Sequence, residues 1–289
     1  MRITPLFLAI SLVILAGVVL AGMDSLAKML TTHFSVLQVT WARYFFHAIF
    51  VTLIFSLQGY RDFLIPKAPK IQILRGFCMV AITFSLYYAI QFISLAEATT
   101  IMYLSPILIT LLAGIFLGEN ITKVHLVAVA LGFSGILFIT QPGFKEINMA
   151  MLVALFAAFI LALYFLLTSK IKAIDNQRTS LFYSSIIGAI GLSLLLPISW
   201  TTPTFTQLLL LILMGAMGAT GHFLLIKAYT LVSASALSPY LNSQVIAATL
   251  FSVFIFGDVL SWSFFIGTGL IILAGLYLWF YERNHRKQA

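Results

Sequence analysis

The sequence predicts an all-α polytopic membrane protein, with ten transmembrane helices arranged as two inverted five-helix repeats. Of its 289 residues, 62% are hydrophobic and only 8% are charged, whereas about 25% of the residues in a soluble domain are charged. The mean hydropathy of +1.09 agrees with this composition. Apolar runs of about 20 residues, the length that crosses a bilayer core, recur from end to end.

Ten spans fit these runs, and the connections between them are too short to hold a soluble domain. Their approximate bounds are 5–30, 35–57, 71–93, 98–117, 123–141, 149–169, 178–198, 206–229, 235–256 and 261–281. The first run resembles a secretory signal peptide with a small-residue cleavage site near Gly22. We interpret it as an uncleaved span, because its apolar character continues to Leu30 and many spans follow. Recognition or chemistry is therefore expected within the membrane or at its faces.

Lysine and arginine are distributed unequally between the two ends of the predicted spans. With the N-terminus inside, 13 of them fall on the inner side and two, Lys28 and Lys145, on the outer side. The positive-inside rule then predicts an inner (plasma) membrane protein with both termini in the cytoplasm. The net charge of +8 therefore reflects membrane topology rather than a nucleic-acid partner.

The cysteine and histidine content gives no sign of a disulfide, a metal or another cofactor. The chain has one cysteine, Cys78, which excludes an internal disulfide. Its five histidines are scattered and show no metal-ligand spacing. No cofactor is predicted.

An internal repeat divides the chain into residues 1–142 and 143–289. One ungapped offset of 139 residues aligns three landmarks, which are Tyr88–Ser94 with Lys227–Ser233, Leu117–Glu119 with Phe256–Asp258, and Gly76 with Gly215. Each half would hold five spans, an odd number, so the second half must be inserted upside down. Inverted repeats are typical of transporters, whose substrate site lies near the midplane between the halves.

Glycines are predicted to end the fourth and ninth spans. Gly118 and Gly257 can adopt the left-handed conformation there. Each is followed by an acid, Glu119 or Asp258, and the dipole of the next helix start favours a negative charge at that position. A structural role is the simpler interpretation of this acidic pair.

The first two spans carry the charges that a membrane interior tolerates least. Asp24 and Lys28 are four residues apart, so they share a helix face and can pair directly, and Arg43 and His47 have the same spacing. A charge at the centre of a spanning helix costs about 2.5–3.5 kcal/mol, so each needs a partner, water or a ligand. Asp24 and Arg43 fall at comparable depth, whereas Lys28 can snorkel outward. The cluster is predicted to contact solute or couple an ion; a structural ion pair is the alternative.

Polar and aromatic residues in the other spans predict an amphipathic cavity. They are Tyr87, Tyr88, Gln91, Tyr103, Tyr164, Tyr240, Asn242 and Gln244. Tyr240 and Gln244 share a helix face, whereas Asn242 lies about 200° round from Tyr240, so not all can point inward. Such a cavity suits a medium-sized organic solute better than a bare inorganic ion.

Two lone histidines and a glycine-rich segment complete the candidate residues. His47 and His222 are more simply interpreted as hydrogen-bonded interior residues than as proton carriers, although an imidazole titrates near physiological pH. The segment from Gly215 to His222 is rich in small residues. It predicts close helix packing, with room for a ligand beside His222 as the alternative.

Six short motifs spread along the chain form a recognisable set. They are Asp24-x-x-x-Lys28, Arg43, Arg75-Gly76, Ser105-Pro106, Leu117-Gly118-Glu119 and Ala234–Tyr240. This set resembles the EamA-type members of the drug/metabolite transporter superfamily, and the resemblance covers the chain as two EamA repeats. It implies a ten-helix secondary transporter with a central cavity.

A motif spacing in the ninth span indicates which branch of the superfamily the chain resembles. The spacing from Pro239-Tyr240 to Gly257-Asp258 is similar to the branch that contains bacterial S-adenosylmethionine uptake transporters. Other members of the superfamily export amino acids, carry riboflavin or expel drugs. Asp258 stands where glutamate is more usual, and Pro106 and Pro239 do not correspond under the repeat offset. The cavity residues are therefore carried over only as candidates.

The sequence favours a lipid-embedded secondary transporter of a small organic solute over an enzyme. It holds no G-x-x-x-x-G-K-[ST] motif, so energy is expected from a proton gradient or from exchange rather than from ATP bound to this chain. An intramembrane lipid-modifying enzyme, the alternative of another class, would need a nucleophile with a base or paired carboxylates. Asp24 is the only acid well inside a span. A non-catalytic scaffold would leave the buried charges unexplained.

Overall fold

The computed structural model describes residues 5–117, 122–141, 148–171, 173–232 and 237–285, and they are helical almost throughout. Their eleven α-helices are α1 (Pro5–Leu30), α2 (Val36–Leu57), α3 (Pro69–Ala89), α4 (Leu95–Met102), α5 (Ser105–Leu117), α6 (Lys123–Thr140), α7 (Met149–Ile171), α8 (Gln177–Leu195), α9 (Phe205–Leu231), α10 (Ser243–Phe256) and α11 (Trp262–His285). Two 3-10 helices, Leu196–Ile198 and Ser238–Asn242, complete the described elements. Ten of the described segments are long and apolar enough to cross a membrane, which confirms a multi-pass membrane protein.

Short connections place the helix ends at two faces. The face at which α1 begins and α11 ends is called the terminal face, and the other is called the opposite face. Hydrogen bonds join connections on the same face: the Gln38 amide donates to the Thr201 carbonyl at the opposite face (2.7 Å), and Arg178 donates to Asp62 at the terminal face (2.6 Å). The alternating direction of the predicted spans agrees with these contacts.

The spans form two halves whose helices pack in matched pairs. α1 packs on α9 and α10, and its counterpart α7 packs on α3, α4 and α5. α2 packs on α8 and α6 packs on α11, so these two pairs join equivalent helices of the halves. α1 begins at the terminal face and α7 at the opposite face, so the halves are inverted. The predicted inverted repeat is confirmed.

The fourth and ninth spans are broken, which corrects the continuous helices predicted over 98–117 and 235–256. The fourth span divides into α4 and α5, with a turn at Tyr103 and Leu104. In the ninth span, the 3-10 helix Ser238–Asn242 comes directly before α10. The offset of 139 residues places Tyr103 on Asn242, so the two breaks fall at equivalent positions of the halves.

Proline explains why both spans break. Pro106 and Pro239 lie close to the breaks, and a proline lacks the amide proton that would continue the helical hydrogen bonds. The carbonyl groups that are freed must then be satisfied by other groups, because no water is available inside a bilayer. The Tyr103 hydroxyl does this across the halves by donating to the Leu241 carbonyl (2.6 Å). The two breaks therefore meet.

Several helix ends follow the capping chemistry of the sequence. Gly257 ends α10 in the left-handed conformation (φ 67°), as predicted. The Ser261 hydroxyl accepts from the Phe264 amide at the start of α11 (3.3 Å). Glu97 forms a capping box with Ser94 at the start of α4. Gly118 and Glu119 lie outside the described residues.

Small residues of α9 allow the second half to approach the first closely. A Cβ atom on Gly215 would overlap the Cβ of Phe46 and lie 2.9 Å from the backbone nitrogen of His47. A Cβ on Gly221 would lie 2.7 Å from the Leu20 side chain. The prediction of close packing along this segment is confirmed.

We expect Gly215→Ala to lower the unfolding temperature of the detergent-solubilised protein, because the added methyl group meets backbone that cannot move freely. Gly191→Ala and Gly269→Ala are matched controls, since nothing lies within 4 Å of a Cβ at either position. Alanine there should raise stability by up to about 1 kcal/mol through helix propensity. Equal behaviour of the three variants would contradict the packing account.

Candidate functional site

The interior of the first half holds a buried guanidinium that no carboxylate touches. Arg43 on α2 is only 7% exposed, and its Nη1 donates to the Thr83 hydroxyl on α3 (2.8 Å). The Tyr44 hydroxyl donates to the Met79 carbonyl (2.7 Å) and lies 2.7 Å from the same Thr83 oxygen. Because the single Tyr44 proton goes to Met79, Thr83 donates to Tyr44 and accepts from Arg43. Neutral groups therefore hold the cation in place.

Aromatic rings supply the remaining surroundings of this guanidinium. The Arg43 Cζ atom lies 5.5 Å from the centroid of the Tyr44 ring and 5.6 Å from that of Tyr87. Cation–π attraction at such distances stabilises the charge without neutralising it. The Nε atom of Arg43 and the hydroxyl of Tyr87 are buried and have no hydrogen-bond partner in the protein.

Asp24 lies on α1 near this guanidinium but does not pair with it. The two side chains interact electrostatically, yet they form no ion pair within 4.0 Å. The Gln244 side chain on α10 is a polar neighbour of the Asp24 carboxylate. The Oδ1 atom of Asp24 is buried and has no hydrogen-bond partner in the protein. A buried polar group without a partner requires an explanation such as water or a ligand.

Two histidines from opposite halves stack beside Arg43. The rings of His47 on α2 and His222 on α9 are 5.5 Å apart between centroids and 22° from parallel. Both ring nitrogens of His47 are buried and have no hydrogen-bond partner within the protein. Gly218 leaves room for this ring, because a Cβ there would lie 3.3 Å from His47 Nδ1.

Four residues with buried, unpartnered polar atoms, Asp24, Arg43, His47 and Tyr87, lie together with His222 and Gln244, and we call these six residues the buried cluster. It contains one acid, one permanent cation and two imidazoles, contributed by both halves. Such an arrangement can bind a polar solute or hold and release a proton. Among the described residues, no group of three or more His, Cys, Asp or Glu side chains could hold a metal ion.

Lys28 does not pair with Asp24, contrary to the prediction from their spacing. Its Nζ atom reaches the opposite face, where it lies 3.5 Å from Asp258 Oδ2 and 3.3 Å from the Ile93 carbonyl. Asp258 also accepts from the Ser252 hydroxyl (2.5 Å). Asp258 thus joins the halves as well as following a helix end, and we call this contact the opposite-face latch. The latch borders a cleft of about 480 Å³.

A second buried network, which the sequence analysis missed, joins the halves near the terminal face. Arg75 on α3 is 1% exposed and donates to Gln72 (2.6 Å) and to two α7 hydroxyls, those of Tyr164 (2.9 Å) and Thr168 (2.9 Å). Gln72 in turn donates to Asp175 (2.9 Å). We call this network the terminal-face latch. The spacing of Gln72 and Arg75, three residues apart on one helix face, was the available signal.

Asp175 anchors this latch through its carboxylate. It accepts from the backbone N–H groups of Lys67 (2.7 Å) and Ala68 (3.4 Å) as well as from Gln72. Burial acts to raise the pKa of Asp175, but these hydrogen bonds outweigh it and hold the pKa below its ordinary value. On the same face, the hydrogen bond from Arg178 lowers the pKa of the exposed Asp62.

The remaining predicted residues are not part of the buried cluster, although Tyr103 interacts electrostatically with Asp24. Tyr88 is 38% exposed and packs on Phe92. The Gln91 amide donates to the Thr31 carbonyl at the opposite face (3.2 Å). Tyr240 is 39% exposed, and Asn242 donates to the Pro239 carbonyl of its own turn (3.0 Å). Tyr103 joins the broken spans, and Tyr164 belongs to the terminal-face latch.

Comparison with known proteins shows that the chain is similar to transporters along most of its length. The EamA-like transporter family matches the chain twice, over residues 7–141 and 148–280. A solved crystal structure superposes with a TM-score of 0.65 at 17% identity, covering 95% of this chain and 98% of that one, which shows a shared fold.

Two relatives are named for the solute that they transport. The S-adenosylmethionine uptake transporter of Rickettsia bellii is 30% identical over 261 residues, which span 90% of this chain and 89% of the relative. The riboflavin transporter of Vibrio cholerae is 26% identical over 280 residues, which span 94% of each chain.

We expect Asp175→Asn to destabilise the protein at neutral pH by about 1.5–3 kcal/mol, because hydrogen bonds to a buried charge are lost. The folded-state pKa lies below the ordinary value, so this contribution is present above the ordinary pKa and disappears as pH falls through the folded one. The difference from the unmodified protein, measured by thermal unfolding in detergent, should narrow as pH falls below the ordinary pKa of an aspartate.

Asp62→Asn is the matched control for this prediction, since the Asp62 side chain is 48% exposed. Its removal should cost at most about 1 kcal/mol. A larger effect of Asp62→Asn than of Asp175→Asn would contradict the assignment of the latch.

Proposed function

Because the chain belongs to the EamA-like transporter family, we propose that it carries a small organic metabolite across the membrane by alternating access. S-adenosylmethionine is the first candidate solute, since the relative from Rickettsia bellii that spans 90% of this chain is an S-adenosylmethionine uptake transporter. Riboflavin is the second candidate, because a riboflavin transporter of Vibrio cholerae spans 94% of it.

The buried cluster is the observation that carries this proposal. Ionisable groups inside a membrane protein are costly, and they persist where they contact a substrate or a coupling ion. The cluster lies where α1, α2 and α3 meet α9 and α10, which belong to the other half. Substrate sites of inverted-repeat transporters lie between the halves in this way. We assign Asp24, Arg43 and Gln244 to solute contact.

The two latches are the contacts that we propose to open and close during transport. Each joins one half to the other, Lys28 to Asp258 at the opposite face and Arg75 to Tyr164 and Thr168 at the terminal face. Rocking of residues 1–142 against 143–289 would open one latch while the other stays closed. The buried cluster would then be reached from one side of the membrane at a time.

The basic residues orient the protein in the proposal. Six of those at the terminal face are Arg61, Lys67, Lys70, Arg75, Lys123 and Arg178, whereas Lys28 lies toward the opposite face. The positive-inside rule assigns the terminal face, with both termini, to the cytoplasm. In a bacterial cell, the protein would lie in the inner membrane.

The coupling step is assigned to the buried cluster or to exchange. His47, His222 and Asp24 are the titratable groups of the cluster, so a proton could move with or against the solute. Exchange of one solute molecule for another requires no proton. Concentrative uptake that stops when an uncoupler collapses the pH gradient supports proton coupling, and uptake that persists supports exchange.

We expect proteoliposomes that contain only this protein to take up or exchange labelled S-adenosylmethionine without ATP. Arg43→Ala should abolish this transport while leaving insertion and monodispersity intact, because the variant removes the proposed solute contact. Arg178→Ala is the matched control, since it removes a partly exposed guanidinium at the terminal face. Normal uptake by Arg43→Ala would return Arg43 to a structural role.

A further inference from the structure

We infer that the solute carries a zwitterionic amino acid group, whose carboxylate binds at Arg43 and whose ammonium binds at Asp24. This inference rests on the proposed transport function and specifies the chemistry of its solute. It follows from the way in which the buried cluster leaves two opposite charges unpaired.

The surroundings of the Arg43 guanidinium favour the binding of an anion. The guanidinium donates to the Thr83 hydroxyl, contacts the Tyr44 and Tyr87 side chains and forms no ion pair within 4.0 Å, so its charge is oriented but not paired. Its Nε atom is buried and unused. A guanidinium presents a planar fork that matches the two oxygens of a carboxylate. Burial of this cation is therefore best compensated by a carboxylate that arrives with the solute.

The carboxylate of Asp24 is prepared for a cation in the same way. The nearest lysine on its own helix, Lys28, is committed to Asp258 and the Ile93 carbonyl at the opposite face. Gln244 supplies a neutral neighbour, and the Oδ1 atom of Asp24 remains buried without a partner. An ammonium group has three donors and no acceptor, so it matches a free carboxylate oxygen.

The separation of the two charges selects a solute that bears both signs. Asp24 and Arg43 are close enough to interact electrostatically, yet no ion pair within 4.0 Å joins them. A solute with one charge would leave the other side chain unpaired in a low-dielectric interior, which is unfavourable. An α-amino acid group carries an ammonium and a carboxylate on one carbon and satisfies both. S-adenosylmethionine and free amino acids have this group; riboflavin lacks it.

The test compares ligands on the unmodified protein in detergent, by thermal shift and equilibrium binding. The zwitterions are S-adenosylmethionine, S-adenosylhomocysteine and the twenty amino acids. The reference compounds are 5′-methylthioadenosine, which lacks the amino acid group, riboflavin, and the methyl ester and deaminated form of the best zwitterion. We expect one zwitterion to bind best and the reference compounds to bind at least about tenfold more weakly.

Two variants assign each end of the solute. Arg43→Gln should weaken binding of the zwitterion about tenfold or more but change binding of its methyl ester little, because the ester lacks the carboxylate. Asp24→Asn should weaken the zwitterion but spare the deaminated form. A merely structural role for either residue would weaken all ligands alike. Arg178→Gln and Asp62→Asn, which alter an exposed ion pair, should leave every affinity unchanged.

The outcomes separate the inference from the proposed function. Riboflavin or 5′-methylthioadenosine binding as tightly as the best zwitterion would overturn the inference and leave transport intact. No binding by any zwitterion would overturn it as well. If proteoliposomes also fail to exchange any compound of the set, the proposed function falls with it. Because the ligand comparison uses the unmodified protein, it stands even if a variant does not fold.

Discussion

The arrangement of the interior depends on one constraint, the need to hold inside a membrane a guanidinium that forms no ion pair with a carboxylate. Taking such a charge out of water costs several kcal/mol even after relaxation. The protein lowers this cost with groups that do not neutralise the charge, namely the Thr83 hydroxyl and the rings of Tyr44 and Tyr87. The hydroxyl chain through Thr83 and Tyr44 ends at the Met79 carbonyl, so every proton in it has a defined direction.

This local arrangement depends in turn on how the halves meet. Glycines on α9 bring that helix against α2, and Gly218 leaves room for the imidazole of His47. The broken fourth and ninth spans contact each other through Tyr103 and the Leu241 carbonyl. Different polar contacts join the halves at the two faces: the opposite-face latch at one and the terminal-face latch at the other. The buried cluster therefore lies between the halves of an inverted repeat, and a separate set of polar contacts joins these halves at each face.

Features encoded locally could be predicted from the sequence. Span length, the alternation of basic residues and the odd number of spans in each half gave ten helices and an inverted repeat. The small residues between Gly215 and Gly221 indicated close packing, and Asp24 and Arg43 stood out because charge is rare inside a span. Each of these signals depends on residues near one another in the chain or on counts along it.

Features that depend on helix rotation and long-range contact could not be predicted in this way. Lys28 shares a helix face with Asp24, but its partner, Asp258, is 230 residues away. Arg75 stood out only as a basic residue of the inner side and as part of the Arg75-Gly76 motif, because no residue near it in the chain indicates contact with Tyr164 or Thr168. The breaks in two spans were unexpected because apolar composition continues through them. Packing, rather than composition, determined these outcomes.

The central claim is that a solute carboxylate neutralises Arg43, and solid-state NMR tests it directly. The measurement is the dipolar coupling between the ¹³C-labelled carboxylate of bound S-adenosylmethionine and ¹⁵N-labelled arginine side chains of the membrane-embedded protein. The account predicts a coupling typical of a hydrogen-bonded contact that disappears in Arg43→Lys. A bound solute whose carboxylate couples to no arginine, or whose coupling survives in Arg43→Lys, would contradict it.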